Sequence, residues 1–304
     1  MSGFTFEKNL PHQEAGIDSV MSMFLSAVPV TAKDLTTRLL ANPELQITAP
    51  QYYSNIKAVQ GYNGIEHIRD HFDCSNVIDV SMETGTGKTY TYTKTMYDLN
   101  KAFGVNKFIV VVPTLSIKAG TVNFLKSAAL KEHFRDDYER EIKTYVVESQ
   151  KNLRKGAKLS MPQAISDFVN ANSVNKKYIH VLIINSGMIN SKSIIDTYDV
   201  GLFGNQFDCP MDALKAVRAI MIIDEPHKFP TRESAKTWSN IERIDAQYII
   251  RYGATFNDDY KNLIYRLTSV EAFNSGLVKG INAFIEDVVG DDCANLKLRA
   301  TDGK

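Results

Sequence analysis

Apolar residues fall into five short runs along this chain of 304 residues. Most of the runs are apolar at consecutive positions rather than at alternate ones, which is typical of strands that helices cover on both faces of a parallel sheet. Stretches with helix-like spacing separate the runs. The pattern therefore predicts an α/β fold, with a mostly parallel central sheet and helices on both faces. The strand candidates are "NVIDV" (76–80), "KFIVVVP" (107–113), "YIHVLIIN" (178–185), "AIMIID" (219–224) and "YIIRYGAT" (248–255).

Two further stretches have recognisable patterns. Some sixty residues separate "VVPT" from "YIHVLIIN", including the charge-rich "KEHFRDDYEREIKTYVVESQKNLRKGAK". This is too long for a simple crossover, so we expect a helix and then a hairpin or insertion at about 131–177, with another helix starting near Ser160 and Pro162. An early amphipathic helix is predicted from apolar residues at helical spacing: Ile17, Val20, Met21, Phe24 and Leu25.

Composition limits the classes of function. Thirty-five basic residues balance thirty-five acidic ones, so no overall field attracts the chain to nucleic acid or membrane, and a nucleic-acid site must be a local groove. The three cysteines, Cys74, Cys209 and Cys293, form no Cys-x-x-Cys pair and are expected to be reduced thiols. The first residues lack a signal-peptide pattern, and runs such as "AIMII" are too short to span a membrane. We expect a cytoplasmic protein without a membrane segment.

Candidate chemistry begins directly after the first strand, at "SMETGTGKTYTY" (81–92). The segment matches the end of the phosphate-binding loop pattern, with Gly85, Gly87, Lys88 and Thr89 in the required order. Glycines allow the backbone N–H groups to approach phosphate, while the lysine supplies charge and the threonine hydroxyl a ligand for Mg²⁺. The first glycine of the strict pattern is replaced by Met82. A Gly-Thr turn between strand and helix would explain the glycines alone.

A second motif, "AIMIIDEPHKF", places two carboxylates at the end of a buried strand. The carboxyl ends of parallel strands are where ligands collect in open α/β sheets. Asp224 is expected to hold Mg²⁺, and Glu225 to orient or deprotonate the attacking water. By itself, such an acidic pair is commonly a solvated strand end.

The ordered set "TGTGKT", "VVPT", "DEPH" and "GAT" resembles motifs I, Ia, II and III of superfamily 2 helicases and translocases. "DEPH", "GATF" and "NLIYRLTSVEAFNSGLVKGI" are similar more narrowly to the restriction (Res) subunit of type III restriction endonucleases. The resemblance runs from "LPHQ" to about residue 282. It implies that residues 1–285 form the first RecA-like P-loop NTPase lobe of an ATP-dependent, Mg²⁺-dependent motor, and that 286–304 form a linker or the start of a second lobe.

The resemblance also implies roles for particular residues. Gln13 contacts adenine, His227 and Thr255 couple the nucleotide to movement, and the remaining residues fall into two groups. The loop residues that bind nucleotide are Thr84, Gly85, Thr86, Gly87, Lys88 and Thr89, the last of which shares Mg²⁺ with Asp224. The residues expected to contact DNA are Pro113, Thr114, Asn185 and Ser186.

Simpler explanations stand beside these roles. Gln13 is also consistent with a helix-start amide, His227 with a surface histidine, and Thr255 with a hydroxyl that bonds the backbone. The lone Trp238 is expected to be structural. Gly253 replaces the serine common in motif III, which removes one hydroxyl that would couple hydrolysis to strand movement.

The partners implied by the resemblance are double-stranded DNA, a methyltransferase (modification) subunit, a second RecA-like lobe with its arginines, and a nuclease domain. No Gln-x-x-Gly-Arg-x-x-Arg stretch follows "GAT", so weak or absent ATPase activity is expected of the chain alone. "EIK" (141–143) fits half of a nuclease motif but is interpreted as a solvated helix face. Two alternatives remain: another superfamily 2 motor, such as a type I restriction translocase or repair helicase, or a truncated module that binds ATP or DNA without turnover.

Overall fold

A seven-stranded sheet, parallel at every described pairing, forms the centre of the protein in the computed structural model. The structure describes residues 6–66, 76–149, 160–175, 177–229, 234–256 and 260–278. The strands are β1 (Val28–Val30), β2 (Glu44–Gln46), β3 (Val77–Met82), β4 (Lys107–Val112), β5 (Glu141–Val146), β6 (Tyr178–Asn185), β7 (Ile220–Asp224), β8 (Tyr248–Gly253) and β9 (Leu263–Leu267).

Helices connect the strands and cover the sheet. They are α1 (Pro11–Met23), α2 (Leu35–Leu40), α3 (Ala49–Tyr62), α4 (Lys88–Phe103), α5 (Leu115–Lys126), α6 (Ala128–Tyr138), α7 (Gln163–Val169), α8 (Ser186–Ile189), α9 (Lys192–Ile195), α10 (Pro210–Ala216), α11 (Ser234–Ile244) and α12 (Ser269–Asn274). A short 3₁₀ turn, Pro226–Lys228, follows β7. No helix in the described part of the chain is both long and apolar enough to cross a membrane.

The strand order is β5-β6-β4-β7-β8-β3-β9, and β1 and β2 form a separate antiparallel pair. The predicted α/β class and all five strand candidates are confirmed, with end differences of one or two residues. The early amphipathic helix is confirmed as α1, and the helix expected near Pro162 is α7. The prediction of a boundary at 285 lies outside the described residues.

The interpretation of "EIK" as a solvated helix face is wrong. Glu141 and Lys143 are exposed and Ile142 is buried on β5, an edge strand that pairs in parallel with β6. Helix α6 ends before this point, and its charged residues make the whole stretch look helical in sequence. The segment predicted as an insertion at about 131–177 thus contributes a strand to the main sheet.

Apolar side chains fill both faces of the sheet, as the continuous runs predict. Along β4, Phe108, Val110 and Val112 pack into one core with α1, α3 and α4, whereas Ile109 and Val111 pack into a second core with α7, α10 and α11. Each large side chain buried in this way contributes about 1.5–3 kcal/mol to folding. The two cores fix β3, β8 and β7 side by side, with their carboxyl ends at one edge.

A buried ion pair joins β3 to its neighbour β8. Asp79 and Arg251 occupy paired positions and are 0% and 3% exposed. The guanidinium donates from Nε to Oδ1 at 2.6 Å and from Nη2 to Oδ2 at 2.9 Å. The backbone N–H of Lys261 donates to the same carboxylate at 2.5 Å. The pair therefore sets the register of the strand that leads into the glycine-rich loop.

At the amino end of β4, the buried Lys107 contacts the ends of two helices. Its Nζ donates to the carbonyls of Leu40 at 2.7 Å and Val169 at 3.0 Å, the last residues of α2 and α7. A cation is favourable at the negative ends of helices. Burial nevertheless lowers the pKa of Lys107 to about 7, because desolvation disfavours the ammonium.

We expect Asp79→Ala to reduce the free energy of unfolding by about 3–5 kcal/mol, because Arg251 would stay buried without its counter-charge. Denaturant unfolding measures this change. The control is Asp137→Ala, which removes an exposed pair between Lys8 and Asp137 at 2.7 Å and should cost less than about 1 kcal/mol. Equal losses in the two variants would contradict this account of the buried pair.

Candidate nucleotide site

The loop between β3 and α4 needs glycine at two positions for its backbone shape. Gly85 and Gly87 have φ values of 86° and 92°, in the left-handed region that side chains with a Cβ rarely adopt. Side-chain and backbone hydrogen bonds from Thr86 to the Glu83 carbonyl, at 2.7 and 3.3 Å, close the turn. The loop therefore leaves its following N–H groups at the start of α4, where helix ends favour anions.

Gln13 packs directly against this loop from α1. Its Nε2 donates to the carbonyl oxygen of Thr86 at 3.2 Å, and His12 Nε2 lies 2.9 Å from the same oxygen. A Cβ at Gly87 would lie 2.2 Å from Gln13 Nε2, so a larger residue there would displace the amide of Gln13 from the loop. Gln13 Oε1 is buried and has no hydrogen-bond partner among the described residues. Its role toward adenine stays a prediction.

Lys88 joins the loop to the carboxylates after β7. Its Nζ lies 2.9 Å from Glu225 Oε1, and the two side chains are only 9% and 7% exposed. The same ammonium contacts the carbonyls of Met82 at 3.3 Å and Glu83 at 3.5 Å. Loop and carboxylates thus form one site, although β8 separates β3 from β7 in the sheet.

Glu225 has an unusual backbone that turns its side chain toward Lys88. Its φ of 50° and ψ of 60° are left-handed, and its N–H donates to the carbonyl of Tyr252 on β8 at 2.7 Å. His227 Nδ1 lies 3.4 Å from Glu225 Oε2. Both atoms are buried, and neither has a hydrogen-bond partner among the described residues.

Asp224 ends β7 and is almost fully buried. Desolvation by burial and then the neighbouring Glu225 charge raise the pKa of Asp224 to about 7, while Lys88 acts in the opposite direction. Its Oδ1 has no hydrogen-bond partner among the described residues. A buried carboxylate without a partner is costly unless a cation or proton compensates its charge.

These groups line a cavity of about 550 Å³. The polar part of its lining consists of the loop backbone, an ammonium, a hydroxyl and two carboxylates, which belong to Gly85, Lys88, Thr89, Asp224 and Glu225. Apolar side chains that no motif indicated also line it: Phe6, Leu10, Ile117 and Phe124. The cavity offers donors for anionic oxygens, oxygen ligands for a hard cation and an apolar wall for a flat ring.

A model of the family described as "Type III restriction enzyme, res subunit" matches residues 51–258. The chain belongs to this family. It is 69% identical over 280 residues to the type III restriction-modification enzyme EcoP15I Res subunit of Escherichia coli, and 70% identical to the EcoPI Res subunit of Escherichia phage P1. Each alignment covers 92% of this chain and 29% of the relative. The chain thus spans less than a third of those proteins, and its resemblance to type III Res subunits is confirmed.

Two solved structures are more distant. A nuclease-deletion mutant of the type ISP restriction-modification enzyme LlaGI, in complex with a DNA substrate mimic, is 17% identical with a TM-score of 0.40, covering 74% of this chain and 20% of that one. A DEAD box protein from Methanococcus jannaschii is 15% identical with a TM-score of 0.38, covering 71% and 49%. These likenesses are weak, and the family membership rests on the sequence matches.

The residues expected to contact DNA lie at the same carboxyl edge of the sheet. Thr114 caps α5 by accepting from the Ile117 N–H at 3.3 Å. Ser186 is 2% exposed, and its hydroxyl donates to the Pro113 carbonyl at 3.0 Å. Asn185 is also buried, with its Oδ1 lacking a described partner. Ser186 thus ties β6 to β4, and contact of all four residues with DNA stays a prediction.

Thr255 and Trp238 differ in their exposure to solvent. Thr255 is exposed just beyond β8, and its coupling role stays a prediction. Trp238 is half-buried on α11, as its structural interpretation expects. Its ring packs edge-on against Phe229 with centroids 5.4 Å apart, and the Arg251 guanidinium lies 5.7 Å from its centre.

Two departures of this Res chain from the usual helicase motifs fit each other. Pro226 stands where motif II usually has alanine, and Gly253 stands where motif III commonly has serine. A Cβ at Gly253 would lie 3.2 Å from Pro226 Cδ and 3.3 Å from the Thr255 carbonyl. The proline ring thus occupies space that a side chain at 253 would need.

We expect Asp224→Asn to stabilise the ligand-free protein increasingly as pH rises. Because the pKa of Asp224 is raised in the folded state, its ionised form opposes folding, and this cost grows from about pH 4 until it is complete above about pH 7. The stabilisation should grow by about 1–2 kcal/mol between pH 5.5 and pH 8 in denaturant unfolding. Asp167→Asn, on the exposed side of α7, is the control. A pH-independent effect at 224 would refute the assignment.

We expect Gly253→Ala to cost about 1–3 kcal/mol of stability, because the added methyl crowds Pro226. Pro226→Ala in the same chain should recover part of the loss, because the Thr255 carbonyl stays 3.3 Å from the added methyl, and the recovered part is the coupling energy in a double-mutant cycle. Gly120→Ala on α5 is the control without a contact: a Cβ there meets nothing within 4 Å, so this change should instead stabilise the protein by about 1 kcal/mol through helix propensity. Strictly additive effects of the changes at 226 and 253 would show that the contact has no energetic role.

Proposed function

We propose that this chain is the ATP-binding motor lobe of a type III Res subunit and that it uses hydrolysis of Mg²⁺-bound ATP to drive movement or switching on DNA. The observation that carries the proposal is the contact of 2.9 Å between Lys88 and Glu225. It unites a phosphate-type loop with a metal-type carboxylate pair, the two parts that phosphoryl-transfer sites combine.

The residues present fit a magnesium nucleotide. Gly85 and Gly87 give the loop the left-handed turns that expose N–H groups, and Lys88 adds a mobile positive charge. Thr89 and Asp224 would hold Mg²⁺, because both supply hard oxygen ligands and Asp224 Oδ1 has no described partner. Gln13 and the apolar wall with Phe6 would hold the base. The bound nucleotide supplies the phosphoanhydride bond that hydrolysis breaks.

The protein's own residues then have separate tasks. Glu225 would accept a proton from the attacking water through Oε2, which has no hydrogen-bond partner among the described residues. Lys88 would exchange its contact with Glu225 Oε1 for phosphate oxygens, which releases the carboxylate for that work. His227, 3.4 Å from Glu225, and Thr255 would transmit the state of the site to the DNA-binding edge.

Rapid turnover would need a further positive charge. The cations that line the described cavity are Lys88 and Lys228, and no arginine is among its lining residues. An arginine supplied from a second lobe would contribute about a thousandfold or more in rate. We therefore propose weak or absent ATPase activity for this lobe alone, which is also what a module that binds without turnover would show.

The proposal extends to the partners of the whole enzyme. Its curated relatives are named as Res subunits of restriction-modification enzymes. We propose that the lobe acts on double-stranded DNA with a modification (methyltransferase) subunit, a second RecA-like lobe and a nuclease domain. The cytoplasmic location expected from the sequence also remains a proposal.

We expect Lys88→Ala to weaken binding of a fluorescent ATP analogue at least tenfold, because the change removes the mobile charge that binds phosphate. Lys94→Ala is the matched control: this lysine lies on the same helix, but pairs with Glu14 at 3.0 Å and Asp98 at 3.3 Å. Equal affinity of wild type and Lys88→Ala would overturn the proposed function.

Glu225→Gln should bind the analogue at least as tightly as wild type, because Lys88 would no longer be paired with a carboxylate that competes with phosphate. Phosphate release should be lost when a second lobe is supplied. Fluorescence titration and a phosphate-release assay measure the two effects. Loss of binding in Glu225→Gln would show that its role is wrongly assigned.

A further inference from the structure

The carbonyl oxygen of Thr86 accepts two hydrogen bonds from the start of α1. Gln13 Nε2 donates to it at 3.2 Å, and His12 Nε2 lies 2.9 Å from the same oxygen. Because a backbone carbonyl can only accept, His12 carries a proton on Nε2 and donates it to this oxygen. Gln13 is thus one of two side chains that hold this point of the glycine-rich loop.

His12 reaches the loop but does not line the cavity. Gly87 is among the lining residues of the cavity, and the described lining does not include His12. The backbone carbonyl of His12 accepts from the Tyr265 hydroxyl on β9 at 2.9 Å. A Cβ at Gly16, one turn further along α1, would lie 3.4 Å from the Tyr265 ring, so helix and strand are closely packed here. The sheet therefore holds the backbone of His12, and the ring of His12 holds the loop.

The Thr86 carbonyl shares one peptide plane with the N–H of Gly87. The described part of the chain has no cis peptide bond, so this N–H points to the side opposite the carbonyl, away from His12 and Gln13. Hydrogen bonds to a carbonyl also polarise its peptide and strengthen the N–H as a donor. Two donors on the Thr86 oxygen thus orient the Gly87 N–H and strengthen its interaction with an anion in the cavity.

We propose that His12 is a positioning residue that holds the Thr86–Gly87 peptide in the orientation that binds the β-phosphate of the nucleotide. The inference rests on the proposed function, since it concerns the same site. Glycine at 87 restricts this peptide little by itself, so a contact from outside the loop is needed to fix it. The first turn of α1 thereby acts in phosphate binding, separately from the contact with adenine expected of Gln13.

The test compares His12→Leu, which removes the donor, with His12→Gln, which keeps an N–H donor at a similar reach. Displacement of a fluorescent ATP analogue gives the affinities for AMP and for ADP, both in EDTA so that no metal contributes. We expect wild type to bind ADP more tightly than AMP. His12→Leu should reduce this ratio of affinities about fivefold, because it weakens a hydrogen bond to a charged group. The AMP affinity should stay unchanged, and His12→Gln should recover most of the ratio.

Tyr265→Phe tests the inference independently if His12→Leu does not fold. It removes the hydroxyl that holds the His12 carbonyl, and should lower the ADP-to-AMP ratio in the same direction but by less. Tyr145→Phe is the matched control, because both tyrosines are 7% exposed. The Tyr145 hydroxyl contacts His180 Nδ1 at 2.9 Å, between β5 and β6 at the far side of the sheet. This variant should keep the wild-type ratio.

The outcomes separate the two proposals. If wild type prefers ADP and His12→Leu keeps the same ratio, the positioning role is wrong and the proposed function stands. The role is also wrong if His12→Leu weakens AMP and ADP equally, or if His12→Gln behaves like His12→Leu, because the donated hydrogen bond would then not be the cause.

The tyrosine variants give the same separation. An unchanged ratio in Tyr265→Phe, or an equal shift in Tyr145→Phe, overturns the positioning role and leaves the proposed function in place. If wild type shows no preference for ADP over AMP, the loop does not bind phosphate as proposed. The proposed function then fails, and the inference fails with it.

Discussion

The contact between Lys88 and Glu225 is the constraint on which the rest of the site depends. Their strands are not neighbours, so the ends of β3 and β7 can meet only if the intervening β8 holds both at the right depth. The Lys88–Glu225 ion pair spans that gap at 2.9 Å, and both side chains are almost fully buried. The contact therefore brings the loop and the carboxylates to one cavity in the ligand-free protein.

Two contacts outside the site hold the strands that set the distance between Lys88 and Glu225. The Asp79–Arg251 pair fixes β3 against β8 in the middle of the sheet, and the Tyr252 carbonyl fixes the Glu225 backbone at the edge. The site itself opposes folding, because Asp224 is buried beside a second carboxylate, and buried polar atoms of Gln13, Glu225 and His227 have no hydrogen-bond partner among the described residues. Contacts inside the sheet thus raise the stability of the protein, whereas the site at the carboxyl edge lowers it, as is common where binding is required.

Sequence reasoning reached furthest for features that depend on neighbouring residues in the chain. The fold class followed from apolar runs, and Lys88, Asp224 and Glu225 followed from motifs whose spacing the backbone itself imposes. It did not extend to residues that meet only after folding, such as His12 beneath the loop or Phe6 along the cavity wall. The edge strand β5 was missed for a different reason: its exposed Glu141 and Lys143 give it the polarity of the helix before it.

The contact between Pro226 and position 253 makes two motifs that are separate in sequence depend on each other. A Cβ at 253 would lie 3.2 Å from the proline ring and 3.3 Å from the Thr255 carbonyl, so a serine there would displace its neighbours by a few tenths of an ångström. Alanine at 226 would relieve the first of these contacts and leave the second. A change in either motif therefore alters which residues the other can accommodate.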